Sequence, residues 1–412
     1  MKAVVLAAGF GRRMVSEVPK PLVPVFGLPL IEYKIRKLKG FKVGVVYHDE
    51  EVASYLKRKF PEVTLIYNPH PERENGFSLY CAKEFVGNDR FVLVMADHYY
   101  SDEFFSTAKR LKEGNFLLVS PFSYNPDEAT KVKTENDRIL RIGKRIEDYD
   151  YFDTGFFVLS PQVFQVAKEL LRRERFTLSD LMQELAERGE LFFKVVKGKW
   201  IDVDEKEEIK LAEKVIKEDL IKDTDGPISK LINRKISTLI TPTLLRFDFI
   251  TPNFVTILSS TIGFLGAILF LGKHYLAGGI VTQLSSILDG CDGEIARLKN
   301  IKTKFGGVLD SLLDRYVDTF ILLSLFLNLP VNKLNVLSFF LAVTGSILVS
   351  YVSHLSGKRP LFATRDVRLF ILFCFSLLTP FFGEVMLNYA LWTIAILSHM
   401  GVVYTLAKAY KE

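Results

Sequence analysis

The sequence predicts two units of different class: an α/β doubly wound domain followed by an all-α domain of six transmembrane spans. Over residues 1–225 short apolar runs alternate with charged ones, as strands and helices do when they take turns. From residue 250 to 408 the chain becomes a series of long apolar stretches. Its 412 residues, 49% apolar and with 34 Phe, exceed one ordinary domain. The change falls at Asp225-Gly226-Pro227, which gives a domain at 1–225, a junction at 226–249 and a membrane domain at 250–412.

Net charge is only +6, with no Lys/Arg cluster interleaved with aromatics, so nucleic acid is not an implied partner. Cys81, Cys291 and Cys374 have no C-x-x-C spacing and imply neither a disulfide framework nor a zinc site. Cys291 reads as packing. The apolar run at the N-terminus is too short for a signal sequence and breaks at Gly9, which puts the first domain in the cytoplasm.

Ala3–Leu6 reads as a buried strand entering a glycine turn. Gly9 and Gly11 would let backbone N–H groups approach a nucleotide phosphate, and Arg13 and Lys20 add positive charge. Ile31–Lys39 and Glu50–Phe60 read as helices; Lys42–Tyr47, Val63–Tyr67 and Phe91–Ala96 read as strands. The last ends in Asp97-His98, where a strand delivers a carboxylate into the crevice of an open sheet. His98 reads as a local hydrogen-bonding residue.

The run L-A-A-G-x-G-x-R-M from Leu6, followed by Pro19-Lys20-Pro21-Leu22, resembles the sugar-phosphate nucleotidyltransferases. That resemblance implies that Asp97 binds Mg²⁺ with a second ligand after a late strand. Trp200-Ile-Asp202-Val-Asp204 fits, with Asp202 preferred and Asp204 as runner-up in the role of helix cap. Asn75 and Ser78 would lie near the pyrimidine and ribose, or else cap a helix. Lys144 would meet the sugar phosphate, in company with the segment from Asp153, or else be a solvated hairpin residue. No covalent intermediate is needed. Arg13 and Lys20 would offset the charge that develops as pyrophosphate leaves.

In the junction, Ile228, Leu231, Ile232, Ile236, Leu239 and Ile240 follow helical spacing, with Lys230, Arg234 and Lys235 opposite. This is an amphipathic helix for the bilayer interface, and Thr241-Pro242 should stop it. Six spans follow, at about 254–272, 275–297, 305–328, 334–355, 367–382 and 385–408. Loops Arg297–Lys304 and Lys358–Arg368 and the C-terminal lysines fall on one side, that of the N-terminal domain. Lys358, Arg359, Arg365 and Arg368 exceed what topology requires and are candidates for an acceptor's phosphate.

Within these spans lie Asp289 and Asp292, spaced i, i+3, and Asp310 and Asp314, spaced i, i+4, each pair on one helix face. A carboxylate near mid-membrane costs about 2.5–3.5 kcal/mol, so four unpaired ones would cost about 10–14 kcal/mol. Lysine-paired packing is the alternative to a bound ion, but no Lys lies on the matching faces. A hard divalent ion, Mg²⁺ or Mn²⁺, suits this all-oxygen set. Gly293 and Gly306 open the carboxylate faces to close approach, and Arg297 offers a fork for phosphate. Asp318 is as readily a supporting residue as a ligand.

The pattern D-x2-D-G-x2-A-R-x8-G-x3-D-x3-D resembles the signature of the CDP-alcohol phosphotransferases. It implies that Gly293, Ala296 and Arg297 take the CDP-alcohol, that Asp314 is the catalytic base, and that the protein is a homodimer through its membrane domain. The two resemblances together are similar to a fused family of heat-loving microbes, joining an inositol-phosphate cytidylyltransferase to a di-myo-inositol-phosphate phosphate synthase. CTP, inositol 1-phosphate and CDP-inositol are then the implied ligands, with the lipid bilayer as surroundings. Two other readings are a phospholipid synthase with a lipid acceptor, and a nucleotide sensor tethered to a transporter.

Overall fold

A computed structural model describes residues 1–10 and 18–410. The chain divides into two compact units, Met1–Asp219 and Leu220–Glu412.

The first unit carries strands β1 (Lys2–Ala7), β2 (Pro24–Val25), β3 (Leu28–Pro29), β4 (Lys42–Tyr47), β5 (Thr64–Tyr67), β6 (Phe91–Met95), β7 (His98–Tyr100), β8 (Asn115–Ser120), β9 (Lys131–Glu135), β10 (Arg138–Gly143), β11 (Tyr151–Leu159), β12 (Leu191–Val195) and β13 (Trp200–Asp202). Its helices are α1 (Leu30–Lys37), α2 (Glu50–Lys59), α3 (Glu74–Cys81), α4 (Lys83–Val86), α5 (Asp102–Ala108), α6 (Val163–Leu170), α7 (Leu178–Glu187) and α8 (Lys206–Leu220). Nine strands form one sheet in the order β5-β4-β1-β6-β11-β8-β12-β10-β9. From β5 to β6 the strands are parallel; β11 enters antiparallel to both β6 and β8.

Strand alternation makes this sheet two-sided. Val4 and Leu6 join the core with Leu79, Val166 and Leu181 on one face, while Ala3, Val5 and Ala7 join Ile35, Leu56 and Phe104 on the other. The consequence for function is that β1 and β6 end together, with Leu6 beside Met95 in register. Gly9, just past β1, and Asp97 therefore emerge at the same edge. A separate antiparallel ribbon of β7 and β13 brings Asp202 opposite His98.

The second unit opens with a π turn, Ser229–Asn233, and α9 (Arg234–Leu245). Six longer helices follow: α10 (Pro252–Leu271), α11 (Tyr275–Leu298), α12 (Lys304–Phe326), α13 (Lys333–Ser356), α14 (Arg365–Phe382) and α15 (Val385–Tyr410). Thr251, Thr303 and Asn332 cap α10, α12 and α13 with side-chain oxygens. Three of the six, α10, α13 and α15, are long and apolar enough to cross a membrane, which marks this unit as membrane-associated. Small residues let the helices approach: a side chain at Gly263 would meet Val317 and Ser285, and one at Gly279 would meet Ser376. Many large apolar side chains point outward instead, including Ile268, Phe340 and Val403.

Pro242 does not stop the junction helix, contrary to the expectation from sequence; α9 runs through it to Leu245. An internal proline costs about 3 kcal/mol. Offsetting contacts lie one and five residues before it, where the Thr241 and Ser237 hydroxyls each donate to Glu294 at 2.6 Å. The polar face of α9 thus packs inward, and its apolar Ile236 and Leu239, with Leu231 of the preceding π turn, are exposed.

Candidate active sites

The edge shared by β1 and β6 opens a cavity of about 390 Å³ whose lining includes Gly9, Lys20, Asn75, Ser78, Asp97 and Asp204. Lys20 starts a short 3-10 turn, Lys20–Leu22, which aims its ammonium inward. It lies 2.6 Å from Asp97 Oδ2 and also bonds Asp204. Burial alone would lower the lysine's pKa, but the two carboxylates outweigh it and hold the group above the usual lysine value. Burial likewise opposes ionisation of Asp97, and Lys20 and His98 overcome it, so that carboxyl sits well below its ordinary range. His98 Nδ1 is 2.8 Å from Asp97 Oδ1, and its ring stacks on Tyr100 and Trp200.

The carboxylate that reaches Lys20 is Asp204 rather than Asp202. β13 ends at Asp202, and the turn into α8 carries the next carboxylate into the cavity while Asp202 stays beside His98. Glu208 accepts the N–H groups of Asp204 and Glu205 at the start of α8. Burial, above all, raises the Asp202 carboxyl pKa.

Asn75 and Ser78 line the cavity and do not cap α3. Asn75 Oδ1 accepts from the Leu178 N–H at 2.8 Å, and Ser78 Oγ accepts from Asn68 Nδ2 at 3.0 Å. Lys144 follows β10 on the exposed surface, apart from the cavity lining. Asp153 Oδ1 accepts from the Gly155 N–H at 2.7 Å, and burial pushes its carboxyl up to about 6. Gly11 and Arg13 lie outside the described residues.

One positioning residue escaped the sequence reading. Lys34, on the buried face of α1, donates to Leu30 O at 2.8 Å and to Ala96 O at 2.6 Å, fixing the carbonyl just before Asp97. Burial lowers its pKa well below that of an ordinary lysine. The available signal was a lysine three residues after Ile31 on an apolar stripe.

In the helical unit, Asp289 and Asp292 of α11 and Asp310 of α12 each offer an oxygen, and these lie within 4.8 Å of one another. Thr256 donates to Asp292 at 2.6 Å, and Ser259 to Asp289 at 3.4 Å. Asp310 Oδ1 is buried with no hydrogen-bond partner among the described residues. An orphaned carboxylate oxygen beside two further carboxylates fits a hard cation. Asp314 does not join the three. It pairs with Arg365 at 2.7 Å, and Arg365 also reaches Asp289 at 3.2 Å and Asp318 at 3.0 Å.

The internal counter-charge therefore comes from arginines. Arg365 and Arg368, spaced i, i+3 on α14, face Asp314 and Asp318, spaced i, i+4 on α12. Arg368 is only 3% exposed and donates to Asp318 and to Ala363 O, while also lining the cavity described next. Asp318 is a supporting residue by the same contacts. Arg359 and Arg365 line a cavity of about 400 Å³ with the carboxylates; Lys358 is absent from that lining.

Arg297 Nη2 donates to Leu220 O at 3.2 Å, and a side chain at Gly293 would come within 3.2 Å of Arg297 Nη1. Gly293, Ala296 and Arg297 line a second cavity of about 270 Å³ with Asp310. Cys291 is buried, with its thiol 3.7 Å from Ser237 O, as packing requires.

Comparison with known proteins divides the chain in the same sense. Residues 3–113 match the MobA-like NTP transferase domain, and residues 249–402 match the CDP-alcohol phosphatidyltransferase family. A protein of Aquifex aeolicus named bifunctional IPC transferase and DIPP synthase is 38% identical over 100% of this chain and 98% of its own. The chain belongs to the bifunctional IPC transferase and DIPP synthase family. A second member, from Archaeoglobus fulgidus, is 37% identical over 98% of this chain and 84% of its own length. Among solved structures, the inositol-1-phosphate CTP transferase from T. maritima is 26% identical, covering 52% of this chain and 95% of that one, with a TM-score of 0.47. As a bifunctional IPC transferase and DIPP synthase family member, the chain is an enzyme with a nucleotidyltransferase unit and a CDP-alcohol phosphotransferase unit.

Proposed function

We propose that the first unit converts CTP and inositol 1-phosphate into CDP-inositol and pyrophosphate. The second unit then joins CDP-inositol to another inositol 1-phosphate, giving di-myo-inositol phosphate phosphate and CMP. What carries this reading is one chain holding two separate carboxylate sites, matched from end to end by relatives that bear both transferase names.

In the first site, Asp97 and Asp204 face the cavity and would hold Mg²⁺, which when bound aligns and polarises the triphosphate. Lys20 and Arg13 would offset charge on the departing pyrophosphate, Gly9 and Gly11 would let backbone N–H groups approach its oxygens, and Asn75 and Ser78 would face the nucleoside. The attacking phosphate monoester is already ionised and needs placement more than a base. In the second site, Asp289, Asp292 and Asp310 would hold Mg²⁺ or Mn²⁺, and Gly293, Ala296 and Arg297 take the nucleotide. Arg359, with Arg365 between the carboxylates, faces the acceptor's phosphate. Asp314 takes the proton from the acceptor hydroxyl.

The six long helices serve as six spans in this reading, with the first unit and the C-terminus cytoplasmic and the exposed apolar face of α9 in the interface. Spans α11, α12 and α14 are the more charged ones because they carry the carboxylates and arginines that neutralise one another inside the bundle. A homodimer would use the outward apolar faces.

Purified protein incubated with CTP, Mg²⁺ and inositol 1-phosphate is expected to show CDP-inositol first and then a phosphodiester with CMP, followed by phosphorus NMR. Turnover of another phosphoalcohol in place of inositol 1-phosphate would overturn the substrate assignment. Residues 1–225 expressed alone are expected to stay in the supernatant after ultracentrifugation and to release pyrophosphate at close to the full-chain rate, because the sheet closes before Asp219. An insoluble or inactive fragment would count against that boundary.

A further inference from the structure

Two cavities of the helical unit share five residues: Lys222, Asp292, Gly293, Arg297 and Asp310. The larger extends toward Asp314 and Arg365, the smaller toward Pro252, Thr256 and Gly306. Four of the five belong to the aspartate motif. Lys222 does not, since it comes from the stretch before the junction, and its ammonium makes no hydrogen bond or ion pair among the described residues.

The surroundings call for an anion. Partial burial, and then the charges of Arg297 and Lys302, hold the Lys222 ammonium below the ordinary lysine pKa. Arg297 Nε is buried with no hydrogen-bond partner among the described residues. Two unspent cationic donors therefore stand where the cavities meet, next to two carboxylates of the candidate metal cluster.

The backbone of Lys222 is also held in register with α11. Its N–H donates to Asp225 Oδ2 at 3.1 Å, Asp225 accepts from Arg234 Nε at 3.0 Å, and Arg234 Nη1 donates to Gly290 O and to Glu294 Oε1, each at 2.8 Å. Glu294 is fully buried. Gly290 and Glu294 bracket Asp292, so this relay fixes Lys222 to the helix that carries two of the three clustered carboxylates.

We propose that Lys222 is a substrate-binding residue of the phosphotransfer site, its ammonium taking the diphosphate of the CDP-alcohol where the two cavities meet. This rests on the phosphotransferase reading of the unit. The nucleotide occupies the smaller cavity and the acceptor approaches through the larger. The phosphoanhydride bond that breaks lies between them, within the span of the carboxylates, Arg297 and Lys222.

The test uses the full chain in detergent, comparing Lys222→Gln and Lys222→Arg with the unaltered protein. Calorimetry with CDP in the presence of Mg²⁺ and the KM for CDP-inositol in CMP release are the readouts. Lys222→Gln is expected to weaken CDP and raise that KM by about 10- to 100-fold, the worth of one charge-assisted contact. The KM for inositol 1-phosphate and pyrophosphate release from CTP should not change, and Lys222→Arg should recover most of the affinity. Unchanged CDP affinity in Lys222→Gln overturns the proposal, as does an equal loss in Lys222→Arg. Failure of the unaltered protein to release CMP despite binding CDP would instead sink the phosphotransferase reading, and calorimetry would still decide the role of Lys222.

Discussion

Asp97→Asn is expected to remove pyrophosphate release from CTP, by on the order of 10²–10³-fold or more, while CMP release from supplied CDP-inositol continues at its original rate. Asp97 carries two duties that an amide cannot take over. Its Oδ2 holds Lys20 at 2.6 Å and its Oδ1 meets His98 at 2.8 Å, so the substitution removes the charge that keeps the ammonium aimed into the cavity. In the proposed reading it also removes one of the two carboxylates that would hold the ion. Asp204 remains paired with Lys20, so the cavity should keep its shape and the variant should fold. The second unit has its own carboxylates on α11 and α12 and draws on none of these groups. Radiolabelled CTP with separate assays of pyrophosphate and CMP measures both activities on one preparation. If both fell together in a well-folded variant, two independent sites would be the wrong description.

Much of the fold was legible because its signals are local. The strand Lys42–Tyr47 was read with its observed bounds, and the six long helices lie within three residues of the expected limits at either end. Period-2 and unbroken apolar runs survive translation into structure when burial on both faces leaves few alternatives. Asp97 was legible for a related reason: a carboxylate directly after an apolar strand in an α/β pattern has only the crevice to enter.

What was not legible depends on partners distant in sequence. Arg365 and Arg368 follow a basic loop, and by composition alone they look like topogenic charge or phosphate ligands. Their pairing with Asp289, Asp314 and Asp318 appears only once α14 is set against α11 and α12. Which of Asp202 and Asp204 meets Lys20 turns on where the three-residue strand β13 ends, and that end is set by its pairing with β7. Pro242 follows the same rule, since the sequence offers a helix breaker while Glu294, far along the chain, supplies the contacts that keep α9 helical beyond it. Lys34 reads as a surface lysine until the Ala96 carbonyl is placed above it.

Asp314→Asn should lower phosphotransfer by roughly 10²–10⁴-fold, the usual worth of a positioned base, and leave divalent-ion affinity nearly intact. An acceptor hydroxyl is a poor nucleophile at neutral pH and must lose its proton as it attacks the β-phosphorus. The three carboxylates whose oxygens cluster within 4.8 Å do not include Asp314. Instead, Arg365 fixes its Oδ1 at 2.7 Å, and its Oδ2 stands 3.8 Å from Arg315 Nη1, beyond hydrogen-bond reach. That second oxygen is free of a short contact to Arg315, and Asp314 lines the same cavity as Arg365. The asparagine keeps a carbonyl for Arg365 but cannot accept the proton, so KM for CDP-inositol should stay near its original value while kcat falls. Asp289→Asn is the control: it removes one of the three clustered carboxylates and should lose ion affinity as well as rate. Calorimetric titration of both variants with Mg²⁺ and with Mn²⁺ separates the roles. Equal loss of ion binding in Asp314→Asn and Asp289→Asn would make Asp314 a ligand and leave the acceptor hydroxyl in need of another base.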